Sequence, residues 1–409
     1  MCYSCYCIKE NFRQVLYIRG QENIIIKLNK GMIMKKLFFN SLFYLFVSVF
    51  FILLTGCYGD ASGSSSGSSS DPVVKNKYVY SVSYESHAIY TYSIEESGTL
   101  SPIGNALPLS LPLGKPLSPV WIMVTPYNAY VVSQNRDDSN AGYLSSYNRN
   151  PNTGVLTECV NHPLPTGDTP FMGVVTPSGQ YVYVLNEGGL KVAQYQVNAC
   201  DLNRIQPDIN LFMTPDSMLV DPSGKYVYIT GTNPQKILAY HISNTGVLEQ
   251  QFETSLGYDP LDIAIAPSGH YAYVTSQDNK VYQYDMNPNT GEIGLSVESF
   301  PTEGTPIGLV LSPSGKNAYV ANFESNTISQ YSIDTNNGQL ATITGASPTV
   351  ISESGPYSIT VTPSGKYLYV TNQRNSLISM YSIESVSGAL SSTPATIHTG
   401  DSPYGIFAW

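Results

Sequence analysis

Thr176-Pro-Ser-Gly-Gln-Tyr-Val-Tyr-Val184 decides the fold because the chain repeats it. The pattern returns as Asp221 to Ile229, Ala266 to Val274, Ser312 to Val320 and Thr362 to Val370, and a degenerate copy begins at Thr125. Its prolines, Pro126, Pro177, Pro222, Pro267, Pro313 and Pro363, are spaced by 51, 45, 45, 46 and 50 residues. In each copy Pro-Ser-Gly reads as a turn, because proline presets φ and glycine accepts the left-handed region, and the run after it reads as a strand. That strand is apolar at nearly every position where a sheet with one wet face would alternate, so both of its faces must be covered. Repeats of this length with covered sheets indicate an array of structural units instead of the two or three domains that length alone suggests.

Each unit carries four short β signals. In the last complete one, Tyr357 to Val361 reads as an inner strand A, Pro363 to Lys366 as a turn and Tyr367 to Thr371 as strand B. Ser376 to Ile383 follows as strand C, and Leu390 begins an outer strand D. No segment after Cys57 carries a helical period. At the ends of the chain, Tyr78-Val79-Tyr80 is a strand B without a strand A, and Ser402 to Trp409 is a strand A with nothing after it. The two fragments tile one unit. The expectation is an all-β, seven-bladed β-propeller of four-stranded antiparallel blades over residues 74–409, closed by the C-terminal strand. Closure matters because an open ring leaves sheet edges wet.

The preceding residues read as an address. Lys35-Lys36, the uncharged run from Leu37 to Leu54, and Leu54-Thr55-Gly56-Cys57 form a basic region, an apolar region and a small-residue processing site. The last four residues resemble the lipobox of bacterial lipoproteins, so 34–56 is expected to be a signal peptide and Cys57 the lipidated residue. Residues 57–73 then form a Gly/Ser-rich tether of roughly 20 Å typical span. Residues 1–33 precede the basic start, and back-translation of Lys30-Gly31 permits a purine-rich stretch shortly before Met34; they are read as an upstream extension outside the translated protein. Tyr58 stands where lipoproteins held on the inner membrane often carry Asp, which points to the outer membrane.

Composition excludes other classes. The 409 residues include only 12% charged and 42% hydrophobic side chains with 32 tyrosines, the opposite of a disordered chain. From Cys57 onward 13 cations face 28 anions, so nucleic acid is not an expected partner. Spacings typical of a metal site are lacking, and neither a metal nor a cofactor is expected. Cys159 and Cys200 are the thiols left in the body. Either a disulfide joins neighbouring blades, as an exported protein permits, or the two are separate buried thiols.

Tyr369-Val-Thr-Asn372, Tyr319-Val-Ala-Asn322 and Tyr183-Val-Leu-Asn186 resemble the YVTN-type β-propeller repeat. The corners Asn150-Pro-Asn-Thr-Gly-Val-Leu156, Asn287-Pro-Asn-Thr-Gly-Glu-Ile293 and Ser387-Gly-Ala-Leu390 resemble those of the β-propeller lactonase family, which includes 6-phosphogluconolactonase and carboxymuconate-lactonising enzymes. That resemblance implies a histidine after the proline that opens strand A, with an Arg and a Glu nearby. Here the residues after that proline are Val120, Phe171, Asp216, Leu261, Ile307, Tyr357 and Tyr404, none of them His or Arg, and the expected base positions read as apolar.

Two functions are therefore weighed. The first is a monomeric, lipid-anchored extracytoplasmic module that binds a protein or small molecule through Phe171, Leu261, Ile307, Tyr357 and Tyr404 at the propeller mouth, as apolar patches with aromatic anchors do. The alternative is a lactonase-like hydrolase using Arg374, Glu187 and Glu324, since lactone opening needs a base for water and a cation or donor for the oxyanion.

Overall fold

The structure is a computed structural model that describes residues 5–10, 13–18, 77–111, 114–135, 141–159 and 163–409. Expectations for the lipobox, the signal peptide and the Gly/Ser tether lie outside the described residues. The chain divides into residues 1–73 and 74–409. In the first unit the described residues form one antiparallel hairpin, Cys5–Glu10 with Arg13–Ile18.

The second unit is the seven-bladed propeller, built without helices among the described residues. Blade 1 is composite: the C-terminal strand Pro403–Ala408 pairs with Tyr78–Ser83, Ala408 lying opposite Val79 and Ile406 opposite Ser81. Ala88–Ile94 and Leu100–Pro102 complete it. Inner strands of blades 2 to 7 are Ser118–Val124, Pro170–Val175, Thr214–Val220, Pro260–Ile265, Pro306–Leu311 and Pro356–Val361. Each touches its neighbours in turn, and blade 7 meets blade 1. The ring is therefore closed by pairing of the first and last strands of this unit.

Strand B is buried along nearly its whole length in every blade, as its unbroken apolar sequence requires. Tyrosines at the blade interfaces dominate the largest fully buried side chains, among them Tyr80, Tyr130, Tyr183, Tyr228, Tyr273, Tyr319 and Tyr369. Their hydroxyls do not stay orphaned as a rule. Tyr228 donates to the carbonyl of Gly291 in the next blade at 2.7 Å, Tyr273 to Gly338 at 2.7 Å and Tyr369 to Gly98 at 2.9 Å. The acceptor is the glycine of the corner between strands C and D, where a positive φ (75° at Gly291) turns the chain and a Cβ would collide with the Tyr226 ring. Broad rings fill the interface while their hydroxyls satisfy a turn carbonyl. At the junction of blades 2 and 3 a disulfide joins Cys159 to Cys200, with Cα atoms 5.9 Å apart.

The outer strand of blade 7 departs from expectation. It runs from Ala395 to His398, and Leu390 contributes only a single bridge to Ile383. Pro394 lies between the two and has no N–H for a ladder, so strand pairing restarts after it.

Candidate functional site

Every inner strand enters its blade through a β-bulge. In blade 4, Pro215 lies opposite Gly231 and Ser217 opposite Thr230, so Asp216 is an extra residue with no partner across the pair. The same slip leaves Val120, Phe171, Leu261 and Ile307 unpaired, and Tyr357 and Tyr404 fall within the corresponding irregularities. A bulge bends the strand and re-aims the extra side chain. The residue after the proline is thereby singled out at the same end of all seven blades.

Phe171, Asp216, Leu261, Ile307 and Tyr357 line a central cavity of about 420 Å³ together with Trp121, Asp262, Ile359 and Phe407. Tyr404 stands behind Tyr357, ring centroids 4.9 Å apart and edge to face, and Tyr84 packs on Tyr404 at 5.3 Å. The volume is in the range of small-molecule sites, and the wall is apolar apart from a few convergent polar groups.

The reading of the base positions as apolar is corrected at one place. Asp216 carries a carboxylate into this cavity, and its Oδ2 is buried without a hydrogen-bond partner. Burial, reinforced by the negative charges of Glu187 and Asp259, pushes its pKa up to about 7, against a smaller opposing effect of the Thr232 hydroxyl. A carboxyl with that pKa and a free oxygen is poised for proton transfer near neutrality. The sequence did carry a signal for it: Asp216 is the one carboxylate in the series of residues after the proline.

Asp262, beside it in the wall, has a different role. Its Oδ1 accepts from Ser217 Oγ at 2.7 Å and from Ile263 N at 2.8 Å, and its Oδ2 accepts from Leu309 N at 2.8 Å. These bonds tie the inner strands of blades 4, 5 and 6 together. Burial outweighs them and holds the carboxyl up to about 6. Tyr357 is also buried, which raises its phenol, with contributions from Tyr404, Asp262 and Glu187. It therefore remains a neutral O–H donor at any physiological pH.

Arg374 and Glu324 are brought together, but at the rim. Their ion pair is 2.7 Å long, and the guanidinium lies 4.3 Å from the centroid of the Phe323 ring. Neither side chain lines the cavity. Glu187 is close enough to Asp216 and Tyr357 to act on both electrostatically. Among the described residues no group of three or more His, Cys, Asp or Glu side chains could hold a metal ion. His87 shares a hydrogen bond with Ser118 at 3.0 Å, and His398 sits in the outer strand opposite Leu377.

A lactonase-type propeller is the class that this ring and mouth define. The sequence matches the family described as "Lactonase, 7-bladed beta-propeller" over residues 62–307 and 304–404, and the chain belongs to that family. Solved structures share the fold. A provisionally assigned 6-phosphogluconolactonase from Bacteroides uniformis ATCC 8492 is 23% identical with a TM-score of 0.69, covering 82% of this chain and 100% of its own. Its counterpart from Bacteroides fragilis NCTC 9343 is 17% identical with a TM-score of 0.70, over 83% and 100%. The Pseudomonas aeruginosa periplasmic gluconolactonase is 19% identical with a TM-score of 0.69, over 81% and 98%. A search of curated proteins found no match.

Proposed function

We propose that the protein hydrolyses a lactone in the propeller mouth, with Asp216 as the general base. The observation that carries this reading is the unpaired, buried oxygen of Asp216 in a largely apolar cavity. Membership of the lactonase family supports it over a purely binding role, which rested on a mouth without a base. In the proposed reaction the Asp216 carboxylate takes a proton from water as the water oxygen bonds to the lactone carbonyl carbon. The phenol of Tyr357 donates to the oxyanion of the tetrahedral intermediate. The ring C–O bond then breaks, the leaving alkoxide takes the proton from Asp216, and a hydroxy acid is released. The apolar wall limits water to the attacking molecule and strengthens both polar contacts. Phe171, Leu261 and Ile307 supply the substrate-facing surface.

Asp216→Asn removes the base at nearly constant shape. Hydrolysis across a panel of γ- and δ-lactones should fall by about 10²- to 10⁴-fold. Turnover equal to the parent's in the variant would remove Asp216 from the mechanism.

The location is part of the same proposal: a lipid-anchored protein outside the cytoplasmic membrane, on the outer membrane where the cell has one. The Cys159–Cys200 disulfide supports export, since such bonds persist in oxidising compartments. Globomycin treatment of cells, which blocks removal of lipoprotein signals, should shift the protein to a heavier precursor; an unshifted product would overturn the anchor.

A further inference from the structure

The charge of the mouth bears on its substrate. Among the described residues lining the cavity there is no Lys, Arg or His, and there are two aspartates. Glu187 and Asp259 add negative potential at Asp216 from outside the wall. Arg374 of the neighbouring rim is held in its ion pair with Glu324 and against the face of Phe323. An anionic substituent entering this space would lose its hydration without gaining a cation, and would meet like charge as well. Recognition of phosphate ordinarily uses Arg, Lys or clustered backbone N–H groups, and the cavity wall presents neither cation.

The wall offers apolar surface instead. Trp121, Phe171, Leu261, Ile307, Ile359 and Phe407 belong to it. At the same end of the propeller, Phe212, four residues before Asp216, is 86% exposed. An isolated exposed aromatic is unremarkable by itself, but this one stands on the connection that leads into the strand bearing Asp216, Thr214–Val220. The volume of about 420 Å³ leaves room for a substituent beyond a lactone ring.

Resting on the lactone-hydrolase reading, we propose that the mouth takes an uncharged lactone bearing an apolar substituent and disfavours phosphorylated sugar lactones. Specificity then comes from the lack of a cation among the described lining residues as much as from hydrophobic contact, a case of selection by what is excluded.

The full-length protein is assayed with an alkyl-substituted δ-lactone, glucono-δ-lactone and 6-phosphoglucono-δ-lactone. Expected is a kcat/KM at least tenfold higher for the alkyl lactone than for the phosphorylated one. Ile307→Lys should narrow that ratio by improving the phosphorylated substrate. In parallel, calorimetry on Asp216→Asn compares binding of an alkyl δ-lactam with binding of 6-phosphogluconate. Equal or faster turnover of the phosphorylated lactone overturns the substrate class and leaves the hydrolase reading standing. If no lactone is turned over, the hydrolase reading falls, and the calorimetry still decides the preference of the mouth: tighter binding of 6-phosphogluconate than of the lactam overturns it.

Discussion

Cys159 and Cys200 form their disulfide at the one blade junction where the described residues show no tyrosine-to-glycine hydrogen bond. At the other junctions Tyr80, Tyr183, Tyr228, Tyr273, Tyr319 and Tyr369 donate to the corner carbonyls of Gly154, Gly246, Gly291, Gly338, Gly388 and Gly98. Tyr130 is the corresponding residue of blade 2, and its buried hydroxyl has no partner. The blade 3 corner reads Asn198-Ala-Cys-Asp201, with Ala199 in the left-handed region at φ 56° and no glycine. The Cys200 carbonyl accepts from Ser146 Oγ at 2.7 Å instead. A covalent bond stands where the repeated polar contact fails.

The tyrosine contacts can be tested one hydroxyl at a time. Tyr228→Phe deletes the donor and leaves the Gly291 carbonyl buried, so it should cost about 1 kcal/mol. Tyr130→Phe removes a hydroxyl that has no partner and should be neutral or stabilising. Urea denaturation of both variants measures the difference. Equal losses would mean that the Tyr228–Gly291 hydrogen bond contributes nothing beyond an unpaired hydroxyl.

Removing the disulfide with Cys159→Ser and Cys200→Ser together frees a loop spanned by a sequence separation of 41. The chain-entropy relation gives a loss of about 4 kcal/mol for a loop of that size. Denaturation with and without reductant checks it. The parent should lose stability in reductant and the double variant should not respond.

Much of this architecture was legible in the sequence, for a physical reason. Pro-Ser-Gly turns and Tyr-x-Tyr strands are local features, and their recurrence counts the blades. The tiling of Ser402–Trp409 with the strand at Tyr78 follows from the same register. Asp216 was legible only as a residue type. What aims it inward is a bulge: the proline before it recurs in every blade and marks the place, but the slip itself depends on how two strands pair, as at Pro215-Asp216-Ser217. Arg374 shows the opposite failure: a cation suited to the proposed chemistry sits near the mouth, but Phe323 and Glu324 engage it at the rim. Pro394 was visible in the sequence, yet its effect on the outer strand of blade 7 appears only once the pairing of Ala395–His398 is known.

Deleting residues 402–409 should open the ring. Ile406 and Ala408 are buried, and Phe407 stacks on Trp409 with ring centroids 6.4 Å apart. Arg149 of blade 2 lies 5.7 Å from the Trp409 ring centroid, so the loss reaches beyond blade 1. Burial of one large apolar side chain contributes about 1.5–3 kcal/mol, and several are lost together. Calorimetry should show a melting point lowered by roughly ten degrees or more, at about 1–2 °C per kcal/mol for a unit as long as residues 74–409. A truncated protein that melts like the parent would contradict closure by the C-terminal strand.

Asp216 couples activity and stability to pH in opposite directions. Its folded pKa is raised to about 7, and that of Asp262 to about 6, above an unfolded value of about 3.9. A carboxyl shifted upward binds its proton more tightly when folded, so its stabilising contribution is complete below about pH 4 and is lost as pH rises through the folded value. Catalysis needs the carboxylate, so kcat/KM should rise with pH and level off above about 7. Asp216→Asn should therefore lose less stability than the parent between pH 4 and 8 while losing the rise in rate. Glu187→Gln removes a like charge that raises Asp216 and should move the midpoint of the rate profile to lower pH. A midpoint unchanged by Glu187→Gln would mean that another group sets the pH dependence.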